Sequence, residues 1–192
     1  RAAAGALPAA TLPAGECIRA TVLGASEYSV QLSGNTSYIS CPDVLLPRRN
    51  LQVIRPACTL DERVDHEAVA AAIRRHLAAF DLDGTQVDMA VAFSWNGTPS
   101  HRRILGFARG IRQGLARRID AGLPLYLLLD GDVALTLGAI LRDELAVESG
   151  LLVIDGVRLW DFDYIDLGRL RQPSNTVPVT IKSLVFSSDP GA

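Results

Sequence analysis

The sequence predicts an α/β fold with a mainly parallel sheet, and three observations carry that prediction. Short, largely apolar runs occur at Val87–Trp95, Leu125–Leu129 and Leu151–Ile154, as in strands covered on both faces. The stretches between them place apolar residues at helical spacing. Strand-like and helix-like stretches alternate, which is the pattern of βαβ units.

The chain opens on RAAAGALPAATLPAGE, rich in Ala, Pro and Gly. Residues 1–16 read as a flexible linker or boundary segment and not as a signal peptide, ahead of a single domain at 17–192. An arginine as first residue suggests a piece of a longer protein. Ile18–Leu23, Tyr28–Leu32 and Thr36–Ser40 are three short β-rich runs separated by turn residues, which predicts an initial antiparallel meander. The stretch CPDVLLPRRN reads as a loop, and Leu51–Ile54 as a strand that Pro56 ends.

Asp61–Phe80 predicts the first long helix. Val64, Val69, Ile73, Leu77 and Phe80 share one face, and Thr59 or Asp61 is the cap. Asp83-Gly84 marks a turn before the strand at 87–95. Asn96-Gly97 ends that strand, and Pro99 opens a helix reaching about Asp120. Its stripe is Ile104, Phe107, Ile111, Leu115 and Ile119, and Gly122 is its stop. The strand at Leu125–Leu129 leads into a helix over Val133–Leu145. Val177–Phe186 predicts a last strand, placed on a sheet edge because Pro178 sits within it. A meander followed by β-α-β-α-β-α is the order of a ribonuclease-H-like unit, the building block of actin-like proteins, with helices on both faces of the sheet.

Composition narrows the function classes. Hydrophobic residues make up 48% and charged residues 21%, which is ordinary for a globular domain. A net charge of −2 argues against a nucleic-acid binder. Apolar runs such as Leu125–Leu129 are far short of the roughly 20 residues of a bilayer span. Of 19 basic residues only Lys182 is not arginine, which points to a GC-rich coding genome and says little about chemistry. Cys17, Cys41 and Cys58 contain no CxxC pair and read as reduced thiols. His66, His76 and His101 offer no zinc spacing, and no Gly-x-Ser-x-Gly elbow is present. No catalytic residue and no metal-ligand set is predicted.

Two short motifs are candidate ligand-contact sites. Gly24-Ala25-Ser26 lies in the first predicted hairpin, with glycine for close backbone approach to phosphate and a hydroxyl beside it. Val22 stands where a phosphate loop needs an aspartate, so an ordinary hairpin turn is the competing reading. Asp130-Gly131-Asp132 follows a buried strand, at the sheet edge where open α/β domains bind ligands. Two carboxylates there suit a hydrated Mg²⁺, while Asp132 is also a good helix cap. Asp155-Gly156 reads as a turn. Asp161, Asp163 and Asp166 do not follow an EF-hand loop and read as a packed, aromatic-rich loop, with Trp160 and Phe162 as contact residues where it protrudes. Arg102, Arg103, Arg109, Arg112, Arg117 and Arg118 read as a basic, solvated helix face or a docking surface.

Three segments resemble one known family. They are RATVLGASEYSVQLSGNTSYIS (19–40), PLYLLLDGDVALTLGAILRDEL (124–145) and LLVIDGVRLWDFDYIDLG with VPVTIKSLVF (151–168 and 177–186). Together they resemble the C-terminal part of the ethanolamine ammonia-lyase reactivating factors. The resemblance implies a bacterial, cytoplasmic, actin-like chaperone that uses ATP to release damaged cobalamin from the adenosylcobalamin-dependent lyase. It implies ATP and Mg only together with an N-terminal half, which would carry the Asp-x-Gly-Thr loop. The implied partners are the lyase and that N-terminal half, with neither nucleic acid nor membrane involved. Two other readings stay open: a small metal-dependent α/β kinase or hydrolase using Asp130 and Asp132, and a structural scaffold domain.

Overall fold

The computed structural model describes residues 26–32, 37–82 and 87–184, with the backbone path alone for 26–32 and Leu184. The linker, the strand expected at 18–23, Cys17, Gly24, Ala25, the SGN turn and the Asp83-Gly84 turn lie outside the described residues.

Among the described residues the strands form one eight-stranded sheet. In chain order they are β1 (Ser26–Leu32), β2 (Tyr38–Ile39), β3 (Arg48–Ile54), β4 (Met89–Phe93), β5 (Leu125–Leu129), β6 (Leu151–Ile154), β7 (Tyr164–Leu167) and β8 (Pro178–Leu184). Across the sheet the order is β1-β8-β7-β3-β4-β5-β6-β2. The centre β3-β4-β5-β6 is parallel, and its flanks are antiparallel. The helices are α1 (Pro42–Leu45), α2 (His66–Ala79), α3 (His101–Gly114), α4 (Ala116–Asp120) and α5 (Ala134–Ala139), the last running into a π turn at Ile140–Glu144.

The expected meander is not what 26–40 builds. Among the described residues β1 pairs with β8 and β2 pairs with β6, at opposite ends of the sheet. The antiparallel wing comes instead from β7 and β8, late in the chain. Pro178 is the first residue of β8, where a missing N–H costs least, and β8 is an interior strand rather than an edge.

The expectation of helices on both faces holds only in part, since the second face carries just the short α1. Residues of alternate parity enter two separate cores. Ile54, Met89, Val91, Phe93, Leu125, Leu127, Leu129, Leu151 and Val153 pack with α2, α3 and α5. The opposite-parity residues, including Val53, Ala92, Tyr126, Leu128 and Ile154, pack with Ile165, Leu167, Val179 and Ile181 of the wing and with Leu45 and Leu46 at α1. The sheet therefore curls over its own second face. The long helices all line the first.

Helix boundaries follow their caps. Asp65, not Thr59 or Asp61, caps α2, accepting from the N–H groups of Glu67 and Ala68 at 2.9 and 3.3 Å. Val64 is buried just ahead of the helix. The stretch CPDVLLPRRN contains α1 with Pro42 in its first turn, and β3 then starts at Arg48. Arg103 and Arg118 belong to the interior, at 8% and 5% exposure, while Arg102, Arg109, Arg112 and Arg117 are exposed. The basic face is thus four residues wide, not six.

Helices α2 and α3 approach closely through glycine. A Cβ on Gly110 would lie 2.6 Å from Val69 Cβ and 2.9 Å from the carbonyl oxygen of His66. Overpacking of that kind costs about 1–3 kcal/mol. Gly110→Ala is expected to lower the melting temperature by about 2–10 °C, whereas Gln113→Ala on the exposed side of α3 leaves it unchanged within about 1 °C. Thermal denaturation followed by circular dichroism checks both.

Candidate functional site

Because β3 to β6 run parallel, their carboxyl ends share one edge. The loops after them carry Arg55, Ser94, Asp130, Asp155, Asp161 and Asp163. Strand β7 opposes β3, β8 opposes β7 and β1 opposes β8. The start of β1, Ser26 paired with Leu184, therefore lies at that same edge. Gly24 and Ala25 fall outside the described residues. The structure thus places Ser26 and Asp130-Gly131-Asp132 on one edge, with β8, β7, β3 and β4 between their strands.

Asp130 is a structural hub. Its Oδ1 accepts from the Trp95 N–H at 2.9 Å and its Oδ2 from Ser94 Oγ at 2.8 Å. Ser94 Oγ in turn accepts from Arg55 Nη2 at 2.6 Å, and Arg55 Nη2 lies 3.9 Å from Asp130 Oδ2. The Arg55 guanidinium stacks over Trp160 at 4.0 Å. Gly131 is required by close packing, since a Cβ would sit 2.7 Å from Trp95 Cβ. Arg55, Cys58, Thr59, Ser94, Trp160 and Asp161 line a cleft of about 430 Å³ beside this hub. Burial pushes the Cys58 thiol up to about 11, so it lines the cleft as an inert group.

Asp132 turns the other way, towards Asp155 after β6. Asp155 is 7% exposed, and its Oδ2 accepts from the Ala134 N–H at 2.7 Å. Its Oδ1 is buried without a partner. Burial pushes Asp155 up to about 6; the N–H groups of Ala134 and Val133 pull it down, and Asp132, within hydrogen-bonding reach, raises it again. The two carboxylates of the DGD motif therefore serve different neighbours. Asp155, read from sequence as a turn residue, becomes the partner of Asp132; its isolation at the end of an apolar strand is the one signal that singles it out.

The remaining loops are pinned by polar side chains. Arg103 donates to the carbonyls of Leu60, Asp61, Asn96 and Thr98 at 2.6–2.9 Å, and its guanidinium lies over Trp95. It ties the loops after β3 and β4 together. Asp161 accepts from the Arg55 N–H at 2.7 Å and pairs with His76 Nε2 at 2.8 Å. Asp163 Oδ2 accepts from the Trp160 N–H at 2.8 Å, and Asp166 takes Lys182 and the Asn50 N–H. The three aspartates of 161–166 thus go to three different partners. They hold a turn in which Phe162, at φ +70°, is 57% exposed and Trp160 is 40% exposed. Among the described residues no group of three or more His, Cys, Asp or Glu converges on one point, and no helix is long and apolar enough to cross a membrane.

Sheet edge, cleft and carboxylate pair define the class: an open α/β domain that gathers its polar groups at the carboxyl ends of parallel strands, where such domains hold ligands. Comparison narrows the class to a family. The family model described as ethanolamine utilisation protein EutA matches residues 7–187. The ethanolamine ammonia-lyase reactivase EutA of Salmonella typhimurium is 33% identical over 173 residues, which is 90% of this chain and 35% of that protein. Its Escherichia coli counterpart is 32% identical over 173 residues, with the same coverage of both chains. No solved structure matches the chain significantly. The chain belongs to the EutA family, and it spans about a third of the length of the curated relatives it matches.

Asp155 generates a pH prediction. A carboxyl raised from 3.8 to about 6 holds, in the folded protein, a proton that the unfolded chain releases earlier. Its effect on stability is thus favourable at low pH and is lost as pH rises from about 4 through 6. The shift corresponds to at most about 3 kcal/mol. Asp155→Asn keeps an acceptor for the Ala134 N–H and removes the charge. In metal-free buffer it is expected to raise the melting temperature at pH 8 and to leave it unchanged near pH 4; an equal change at both pH values would contradict the titration.

Proposed function

We propose that this chain is the ligand- and partner-contacting portion of an ATP-linked ethanolamine ammonia-lyase reactivase of actin-like type. The observation that carries the reading is the shared edge: within a chain of the EutA family, Ser26 and Asp130-Gly131-Asp132 lie at the carboxyl ends of the parallel strands. The proposed nucleotide contacts are Gly24, Ala25 and Ser26 on one side and Asp130, Gly131 and Asp132 on the other. ATP and Mg²⁺ would be held together with the rest of a full-length family protein, so this stretch alone is not expected to hydrolyse ATP. Nucleotide would favour one arrangement of the whole protein, and that arrangement would bind the lyase in a form from which damaged cobalamin escapes.

The exposed turn supports a role in partner contact. Phe162 is bulky, left-handed and outward-facing, with Phe80 beside it at 5.3 Å between ring centroids. Strained backbone persists where the surroundings over-determine it, and aromatic residues dominate binding hot spots. Trp160 and Phe162 are the proposed lyase contacts of this domain.

Thermal denaturation with Mg·ATP, Mg·ADP and purified lyase tests the reading. Nucleotide at about 100 times its Kd adds roughly 2.7 kcal/mol, or about 5–10 °C for a chain of this size. A shift of that order supports the nucleotide edge. Lyase binding that is weakened at least tenfold by Phe162→Ala, with no nucleotide shift, leaves a pure contact module. No response to either nucleotide or lyase overturns the assignment.

A further inference from the structure

We propose that the cleft lined by the loops after β3, β4 and β6 binds a small zwitterion, with Arg55 taking its carboxylate and Asp161 its ammonium group. The argument starts from two opposite charges that share the cleft without pairing. Arg55 and Asp161 both line its volume of about 430 Å³, a size that suits a small molecule. Each has its ion pair elsewhere. Arg55 Nη2 lies 3.9 Å from Asp130 Oδ2, and Asp161 Oδ1 meets His76 Nε2 at 2.8 Å. Each also keeps bonding capacity unspent. Arg55 gives one Nη2 hydrogen to Ser94 Oγ, while its Nε–H and Nη1–H groups bond no described residue. Whichever Nη2 hydrogen Ser94 takes, the other forms a two-pronged edge with its neighbour, the shape that matches a carboxylate. Asp161 Oδ1 is taken by the Arg55 N–H and His76, while its Oδ2 accepts from no described residue.

The framework holds the two charges apart. Asp161 is tied to the backbone end of Arg55 at 2.7 Å, and the guanidinium is tied to Ser94 at 2.6 Å, with the Trp160 ring 4.0 Å from it. The side chain of Arg55 thus separates the negative end of the cleft from the positive end. The charge balance selects the ligand. A bare anion on Arg55 would meet repulsion from Asp130 and Asp161, and a bare cation on Asp161 would meet it from Arg55. A molecule that carries both charges, one at each end, avoids both penalties. Its carbon chain has Trp160, 40% exposed, and the inert Cys58 thiol to pack against. Thr59 adds an exposed hydroxyl. The site goes beyond the reactivase reading. It uses none of the proposed nucleotide contacts and shares only Trp160 with the proposed lyase contacts.

The test compares zwitterions with their single-charge halves. Glycine, 4-aminobutyrate and 6-aminohexanoate, which differ in the spacing of their charges, are titrated to 20 mM at pH 7.5 and constant ionic strength. Acetate and methylammonium are the single-charge probes. Melting temperature and tryptophan fluorescence are followed, since Trp160 stands in the cleft. For ligands this small the expected Kd is on the order of a millimolar. At 20 mM the best-spaced zwitterion then raises the melting temperature by about 4–7 °C and changes the fluorescence. Acetate and methylammonium do neither. Arg55→Gln and Asp161→Asn each weaken the zwitterion at least tenfold, and Asp161→Asn keeps an acceptor for the Arg55 N–H. Glu148→Gln, at an exposed acid outside the cleft, leaves it unchanged. The proposal is overturned by no response to any of the three zwitterions, by an equal response to either single-charge probe, or by wild-type affinity in both cleft variants. The comparison of probes on the wild-type chain holds whether or not a variant folds. A chain that answers to nucleotide or lyase and to no zwitterion keeps the reactivase reading and loses this one.

Discussion

Four parallel strands laid down in sequence order, each joined to the next by a helix, leave one sheet face without a crossover helix to cover it. Right-handed crossovers that always step in the same direction put every crossover helix on the same side. Here β3, β4, β5 and β6 step that way, and α2, α3 and α5 all pack into one core. The opposite face carries Tyr126, Leu128, Leu152 and Ile154, each at most 1% exposed, and must be buried by something else. The sheet supplies the cover itself. Strands β7 and β8 return antiparallel beyond β3 and turn Ile165, Leu167, Val179 and Ile181 back onto that face.

The same constraint sets where polar groups gather. With all carboxyl ends on one edge, four loops meet there, and their backbone groups need partners away from water. Arg103 satisfies four carbonyls from two loops, Asp130 satisfies one N–H and one hydroxyl, and Asp161 and Asp163 close the loop after β6. These charges hold the loops together. Among the described residues, what stays exposed at this edge includes Asp132 and the aromatic turn at 160–162.

The sequence was informative where one local signal decides the outcome. Continuous apolar runs located β4, β5 and β6, because a strand buried on both faces has no polar alternation to lose. It was uninformative where a partner far along the chain decides. β1 and β2 look like neighbours in a hairpin, yet their partners are 178–184 and 151–154. β7 was hidden because Asp163 and Asp166 flank and interrupt it, although Ile165 and Leu167 carry the period-two signal of a half-buried strand. Arg103 and Arg118 read as surface because charge is normally solvated; four carbonyls brought together by tertiary structure make an exception of Arg103. For the site, the DGD motif placed attention on the right edge. Only the fold could show that its two aspartates part company and that Asp132 meets Asp155.

The DGD motif and the aromatic turn at 160–162, the two regions proposed above as contacts, are joined by an unbroken set of contacts. Asp130 holds Ser94, Ser94 holds Arg55, and Arg55 lies over the Trp160 ring, whose residue's N–H is held by Asp163 one residue past Phe162. Asp161 closes the same path from the other side, binding the Arg55 backbone and His76, while His76 stacks on Phe80 and Phe80 meets Phe162. Packed cores and saturated hydrogen bonds move between discrete arrangements rather than deforming smoothly. A displacement of Asp130 by a ligand at the strand edge would have to be taken up by Ser94 and Arg55 and would change the seating of Trp160. Chains of packed side chains and hydrogen bonds are one means by which two places in a protein are coupled. In this domain they run through a handful of side chains, each with a named partner.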